Sequence, residues 1–131
     1  MKVLALDFGR ARTGVAVSDP TGTVARPLGV IEAAATDNGL GRIAALAAEQ
    51  NAEEIVVGLP LTMRGARGEQ AQETEEFVER LREHVRIPVV TFDERFTTDL
   101  AQQTPSSSAE DARAAAHLLS SYLAWSSGAR A

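Results

Sequence analysis

Three short apolar runs crowd the first quarter of the chain: Lys2–Phe8, Gly14–Ser18 and Val24–Ile31. Only five residues separate each run from the next. Parallel neighbours need a crossover of roughly a dozen residues or more, so these runs can pair only as an antiparallel meander. Pro27 removes a ladder donor from the third run and assigns it to a sheet edge. Beyond the meander the pattern changes. Leu40–Gln50 has helical spacing through Leu40, Ile43, Ala44, Leu46 and Ala47, and Glu54–Leu59 is a buried strand stopped by Pro60. Glu69–Val85 reads as a charged amphipathic helix with Phe77, Val78, Leu81 and Val85 inward. Pro88–Phe92 is a fifth strand, and Glu110–Trp125 a last helix followed by a frayed tail from Ser126. The order β-β-β-α-β-α-β-α predicts an α/β fold: a mixed five-stranded sheet, three strands antiparallel and two parallel, with helices on both faces.

At 131 residues and 44% apolar content, the expectation is a single domain over residues 1–131 that folds without a staple. The absence of cysteine excludes disulfides, thiolate zinc sites and thiol nucleophiles. Lys2 is followed by a short apolar run that already contains Asp7, unlike a signal peptide, and no stretch reaches the roughly 20 apolar residues of a membrane span. A cytoplasmic protein with no membrane partner is expected. The net charge of −5 argues at first sight against nucleic acid. The sum hides its make-up: twelve of thirteen basic residues are Arg, the fork best matched to phosphate, and six Glu lie between Glu69 and His84.

In such a sheet, ligands gather at the carboxyl ends of parallel strands. Acidic residues stand at element ends there: Asp7, the pair Asp93-Glu94, and Asp111 in the first turn of the last helix. Clustered carboxylates need a counter-charge, and hard oxygen donors select Mg²⁺ or Mn²⁺, which can activate water against a phosphodiester. Each acid also has a plain structural reading. Asp7 can start an Asx turn, Asp93-Glu94-Arg95 can form a structural ion pair, and Ser108-Ala-Glu-Asp111 has capping-box form. Arg64 and Arg67 fall in the glycine-bearing segment Thr62–Gly68, read as a mobile loop, where arginines are commonly just solvated. His84 and His117 lie 33 residues apart with no Ser or Asp arranged about them, which disfavours a triad. Gly9-x₄-Gly14 lacks the Lys-Ser/Thr of a phosphate loop, and an actin-like ATPase needs two domains where this chain has length for one.

Four segments together resemble the YqgF (RuvX) family of Holliday-junction-resolvase-like proteins, also described as pre-16S rRNA nucleases, with an RNase H-like fold. Asp7-Phe-Gly-Arg-Ala-Arg-Thr-Gly-Val-Ala-Val-Ser-Asp19 resembles the family's opening pattern. Val56-Val-Gly-Leu-Pro-Leu-Thr-Met-Arg-Gly65, Asp93-Glu-Arg-Phe-Thr-Thr98 and the helix Asp111–Leu123 are similar to the three that follow, in the same order. The resemblance implies that Asp7, Glu94 and Asp111 are the catalytic and metal-binding carboxylates, with Mg²⁺ or Mn²⁺ as cofactor. Adjacent residues of a strand point to opposite faces, so only one of Asp93 and Glu94 should reach the site; the longer Glu94 is chosen, with Asp93 pairing structurally. Arg12, Arg64, Arg67, Arg95, Thr97 and Thr98 become the candidates for nucleic-acid contact. Two departures stand out: Ala11 replaces a basic residue, and the twelve residues between Thr98 and Asp111 contain no Lys or Arg. The function implied is a metal-dependent nuclease processing the 5′ end of pre-16S rRNA. The alternatives are a Holliday-junction or branched-DNA endonuclease, and a non-catalytic nucleic-acid or ribosome-binding module. The expected partner is structured RNA, or branched DNA, and the protein a monomer or homodimer.

Overall fold

The computed structural model describes residues 1–62, 64–97 and 108–130. The meander consists of β1 (Val3–Asp7), β2 (Arg12–Ser18) and β3 (Ala25–Glu32). It is followed by α1 (Asp37–Glu49), β4 (Glu54–Leu59), α2 (Glu69–Arg82) and β5 (Val89–Asp93). A 3₁₀ turn (Glu94–Phe96) and the long α3 (Ser108–Arg130) complete the order. The five strands form one sheet in the order β3-β2-β1-β4-β5. β1 pairs antiparallel with β2, β2 antiparallel with β3, and β1–β4 and β4–β5 pair in parallel. The expected mixed sheet is therefore present, and Pro27 does sit on an edge strand. The β2–β3 register shifts at Val15/Ala16, so Gly29 faces Val15 while Pro27 faces Ala16.

Strand alternation sorts the side chains into two cores. Leu4, Leu6, Val15, Val17, Ile55 and Val57 pack against Leu40 and Ile43 of α1 and Phe77, Val78 and Leu81 of α2. Val3, Ala5, Ala16, Val56 and Phe92 face the other way, against Ala115, Leu118, Leu119, Tyr122 and Leu123 of α3. Each face is hydrophobic because helices cover both sides of β1 and β4, which explains their unbroken apolar runs. α1 is capped by Thr36, whose hydroxyl accepts the Gly39 N–H at 3.0 Å.

One local expectation is corrected. The tail does not fray at Ser126: α3 continues to Arg130, and Ser126 is buried with its hydroxyl donating to the Leu123 carbonyl at 3.3 Å. The loop read between Thr62 and Gly68 contains a turn among its described residues. The Thr62 carbonyl accepts from Gly65 N–H at 2.8 Å, and its hydroxyl accepts from Ala66 N–H at 3.0 Å. Among the described residues no helix is long and apolar enough to cross a membrane.

Candidate active site

Asp7 is the last residue of β1, and alternation with Val3 and Ala5 turns it to the α3 face. On that face both neighbouring strands carry glycine. Gly14 of β2 is the register partner of Asp7, and Gly58 of β4 follows Val57, the partner of Leu6. The two glycines admit different visitors. A Cβ on Gly14 would lie 1.9 Å from the backbone carbonyl oxygen of Asp111, so only glycine lets the first turn of α3 descend onto the sheet there. A Cβ on Gly58 would lie 2.6 Å from Glu94 Oε1 and 2.9 Å from its Cγ. The Glu94 side chain therefore lies back over β4, toward Asp7.

Glu94 and Asp7 are joined by a hydrogen bond between their carboxyl groups. Burial pushes the Asp7 carboxyl above its ordinary range; the bond from Glu94 opposes this, and the negative charge of Asp111 adds to the rise. Two carboxyls in such contact require a shared proton or a cation between them. Asp111, the fourth residue of α3, is held from the sheet side by Arg12, whose Nε lies 3.0 Å from its Oδ2.

Asp7 and Glu94 open onto a cleft of about 550 Å³ at the carboxyl ends of β1 and β4, beside the start of α2. Phe8, Gly9, Arg10, Pro60, Gln70 and Glu73 line the rest of its wall, with Glu69 and Thr74. Among the described residues no three acidic or histidine side chains converge as a ready-made metal cage. The donor chemistry nevertheless suits a hard cation. Mg²⁺ is ordinarily taken by one or two carboxylates and completes its shell with water and substrate phosphate, and Asp7 with Glu94 offers such a pair.

The remaining candidates divide. Asp93, the last residue of β5, pairs with Arg95, whose Nε and Nη2 lie 2.9 and 2.6 Å from its Oδ2, holding its carboxyl below the ordinary range. Arg95 thereby reaches over the Thr62 turn, near Gly65. Arg67 pairs with Glu75 of α2 at 2.7 Å, while Arg64 is exposed and makes no ion pair among the described residues. Thr97 closes the 3₁₀ turn, its N–H donating to the Glu94 carbonyl at 3.0 Å. Thr98 lies outside the described residues. One basic residue in the cleft escaped the sequence reading. Arg10 reaches from the β1–β2 turn to Glu73 and, at 3.5 Å, to Glu69. The spacing of Glu69 and Glu73, i and i+4 on one helix, was the available signal.

Gly58→Ala tests the seat of Glu94. The obstructed atoms are the end of a flexible side chain, so the melting temperature should stay near wild type while Glu94 is displaced from Asp7. A loss of about 10- to 100-fold in metal affinity or activity is expected. Unchanged metal binding would show that Glu94 does not need this position.

The fold is of the RNase H-like class. T. thermophilus RuvC in complex with Holliday junction substrate superposes at a TM-score of 0.55 and 17% identity, over 95% of this chain and 96% of that one. A second Thermus thermophilus RuvC structure gives 0.56 and 17%, over 98% and 97%. The chain itself belongs to the RuvX family, described as Holliday junction resolvase, which it matches over residues 1–125. A Chloroflexus aurantiacus relative named "Putative pre-16S rRNA nuclease" is 44% identical over 101 residues, 77% of this chain and 66% of that protein. A Sulfurihydrogenibium sp. relative of the same name is 45% identical over 105 residues, 79% of this chain and 71% of its own. The match to the Chloroflexus protein thus spans just under two thirds of that protein's length.

Proposed function

We propose that this protein is a cytoplasmic Mg²⁺- or Mn²⁺-dependent nuclease that hydrolyses phosphodiester bonds of structured RNA, with the 5′ end of pre-16S rRNA as its task. The observation that carries the reading is the half-buried Asp7–Glu94 pair at the carboxyl ends of β1 and β5, with Asp111 drawn in over Gly14. The names of the relatives and the family description both fit a nuclease. Asp7 and Glu94 would hold the cation, with Asp111 beside them. A divalent ion bound there supplies Lewis acidity toward the phosphate and lowers the pKa of an attacking water.

The chain's own residues do the rest. Arg12 orients Asp111 and offsets part of its charge. Arg10 stands in the cleft on Glu73, where a substrate phosphate would compete for its guanidinium. Arg12, Arg64, Arg67 and Arg95, with Thr97 and Thr98, are the candidates for contact with the strand. A non-catalytic binding module is the weaker reading, because acids buried beside phosphate would only repel it without a cation. Branched DNA is the second substrate reading, favoured by the family description. Cutting two strands symmetrically calls for a two-fold dimer.

The test is cleavage of an end-labelled pre-16S 5′ leader and of a four-way DNA junction with Mn²⁺, by wild type and Glu94→Gln. RNA cleavage leaving 5′-phosphate ends is expected, reduced at least about 100-fold in the variant. Equal cleavage by both proteins would refute the assignment, and paired cuts in the junction by a dimer would move the substrate to DNA.

A further inference from the structure

Four of the six aromatic residues gather along one edge of the molecule. Phe92, on the edge strand β5, is only 5% exposed and forms the floor. The rings of Phe96, Tyr122 and Trp125 lie 6.1, 5.5 and 5.7 Å from its centroid. Phe96 and Trp125 are each inclined by 54° to Phe92 and are 62% and 55% exposed. Both touch Phe92, yet no ring contact between them closes the space over it among the described residues. Leaving two large rings in water forgoes the stabilisation that burial would bring, so their exposure calls for an occupant.

The chemistry of this edge selects the occupant. The exposed apolar groups here are flat rings; of the other large exposed apolar residues, Met1 lines a separate cleft with Tyr122 and Ser126, where its amine donates to the Pro20 carbonyl. Phe96 also ends the same three-residue turn that Glu94 begins, so the platform is continuous with the candidate active site. We infer that Phe96 and Trp125 form a stacking site for an unpaired base of a nucleic-acid strand whose backbone runs on to Asp7 and Glu94. The direction of that backbone rests on the nuclease reading; the stacking does not. Every base has a π-face, so such a site tolerates any sequence, but a base locked in a duplex has no free face to offer. The substrate class is therefore a strand with an unpaired stretch beside the bond to be cut.

Trp125 is the only tryptophan, and its emission reports directly on this edge. The full chain is titrated without divalent ions against an unstructured ten-nucleotide oligouridine and against a blunt RNA duplex of equal length. The single strand should quench Trp125 and bind more tightly than the duplex. Phe96→Ala should weaken that binding about 5- to 100-fold, and Phe96→Tyr should restore it to within about 2-fold. Phe96 is exposed, and circular dichroism checks that each variant is folded. Equal quenching by the duplex, no quenching, or unchanged affinity in Phe96→Ala overturns the site. So does a Trp125 emission that shifts with protein concentration alone, which would assign the face to a second copy of the chain. Quenching that depends on Phe96 in a protein that cleaves nothing would uphold the site and remove the nuclease reading instead. Cleavage that is intact while Phe96→Ala binds as wild type would do the reverse.

Discussion

Asp7→Asn should abolish cleavage, by about 10³-fold or more, and at the same time raise the melting temperature of the metal-free protein at neutral pH. The two effects share one cause. Loss of hydration, with the charge of Asp111 adding to it, disfavours the ionised form of Asp7 in the folded chain, and the bond from Glu94 only partly offsets this. A carboxyl whose folded pKa lies above its unfolded value loses stability as pH rises from the unfolded value of about 3.9 through the folded one. Asn has no charge to bury, so the variant's advantage should be absent near pH 4 and grow toward pH 8. Each 1 kcal/mol relieved would appear as roughly 3–5 °C in a chain of this size. Mn²⁺ should reverse the order by stabilising wild type and leaving Asp7→Asn unmoved. Melting curves at several pH values, with and without Mn²⁺, measure all of this. A variant that melts below wild type at pH 8 without metal would contradict the burial account.

Gly14→Ala should be the most damaging single methyl in the sheet. Its Cβ meets the backbone oxygen and carbon of Asp111 at 1.9 and 2.5 Å, and no rotamer change can clear a backbone. Either α3 lifts, stripping apolar cover from Ala5, Ala16 and Val56, or β2 bends. Overpacking of this kind costs about 1–3 kcal/mol and can exceed it, and the loss of the Asp111 position should remove activity as well. Gly29→Ala is the matched control: it sits on the neighbouring strand with nothing within 4 Å of its added Cβ. Denaturant melts of the two variants should differ by at least about 2 kcal/mol. Equal stability would mean that α3 can ride higher on the sheet without penalty.

Much of the architecture was legible because apolar spacing reports it directly. The meander followed from gaps too short for a crossover, and the inward residues of α2 from their helical period. Glu94 was preferred to Asp93 for its longer reach; the structure sets Glu94 beyond the end of β5, in the 3₁₀ turn, and pairs Asp93 with Arg95. What escaped depends on register, which no linear pattern prints. Gly14 and Gly58 are ordinary strand glycines until the ladder sets them on either side of Asp7. Arg12 was expected to face substrate; its partner Asp111 is remote in sequence and meets it only because α3 lies across β2. Ser126-Ser-Gly128 has little apolar signal, so the last turns of α3 resembled a tail. Packing of Ser126 beneath the helix, not propensity, extends it.

α3 has 23 residues and so runs about 35 Å, from the turn bearing Asp111 to the region where Tyr122 donates to the buried Glu54 at 2.7 Å. One rigid rod thus both roofs an entire core and carries a candidate metal ligand at its tip. Enzymes that mount such a group on a loop can lose and regain it through small local openings. Here the Arg12 ion pair and the close seat over Gly14 tie that first turn to the sheet, so the position of the carboxylate follows the packing of the helix on β2.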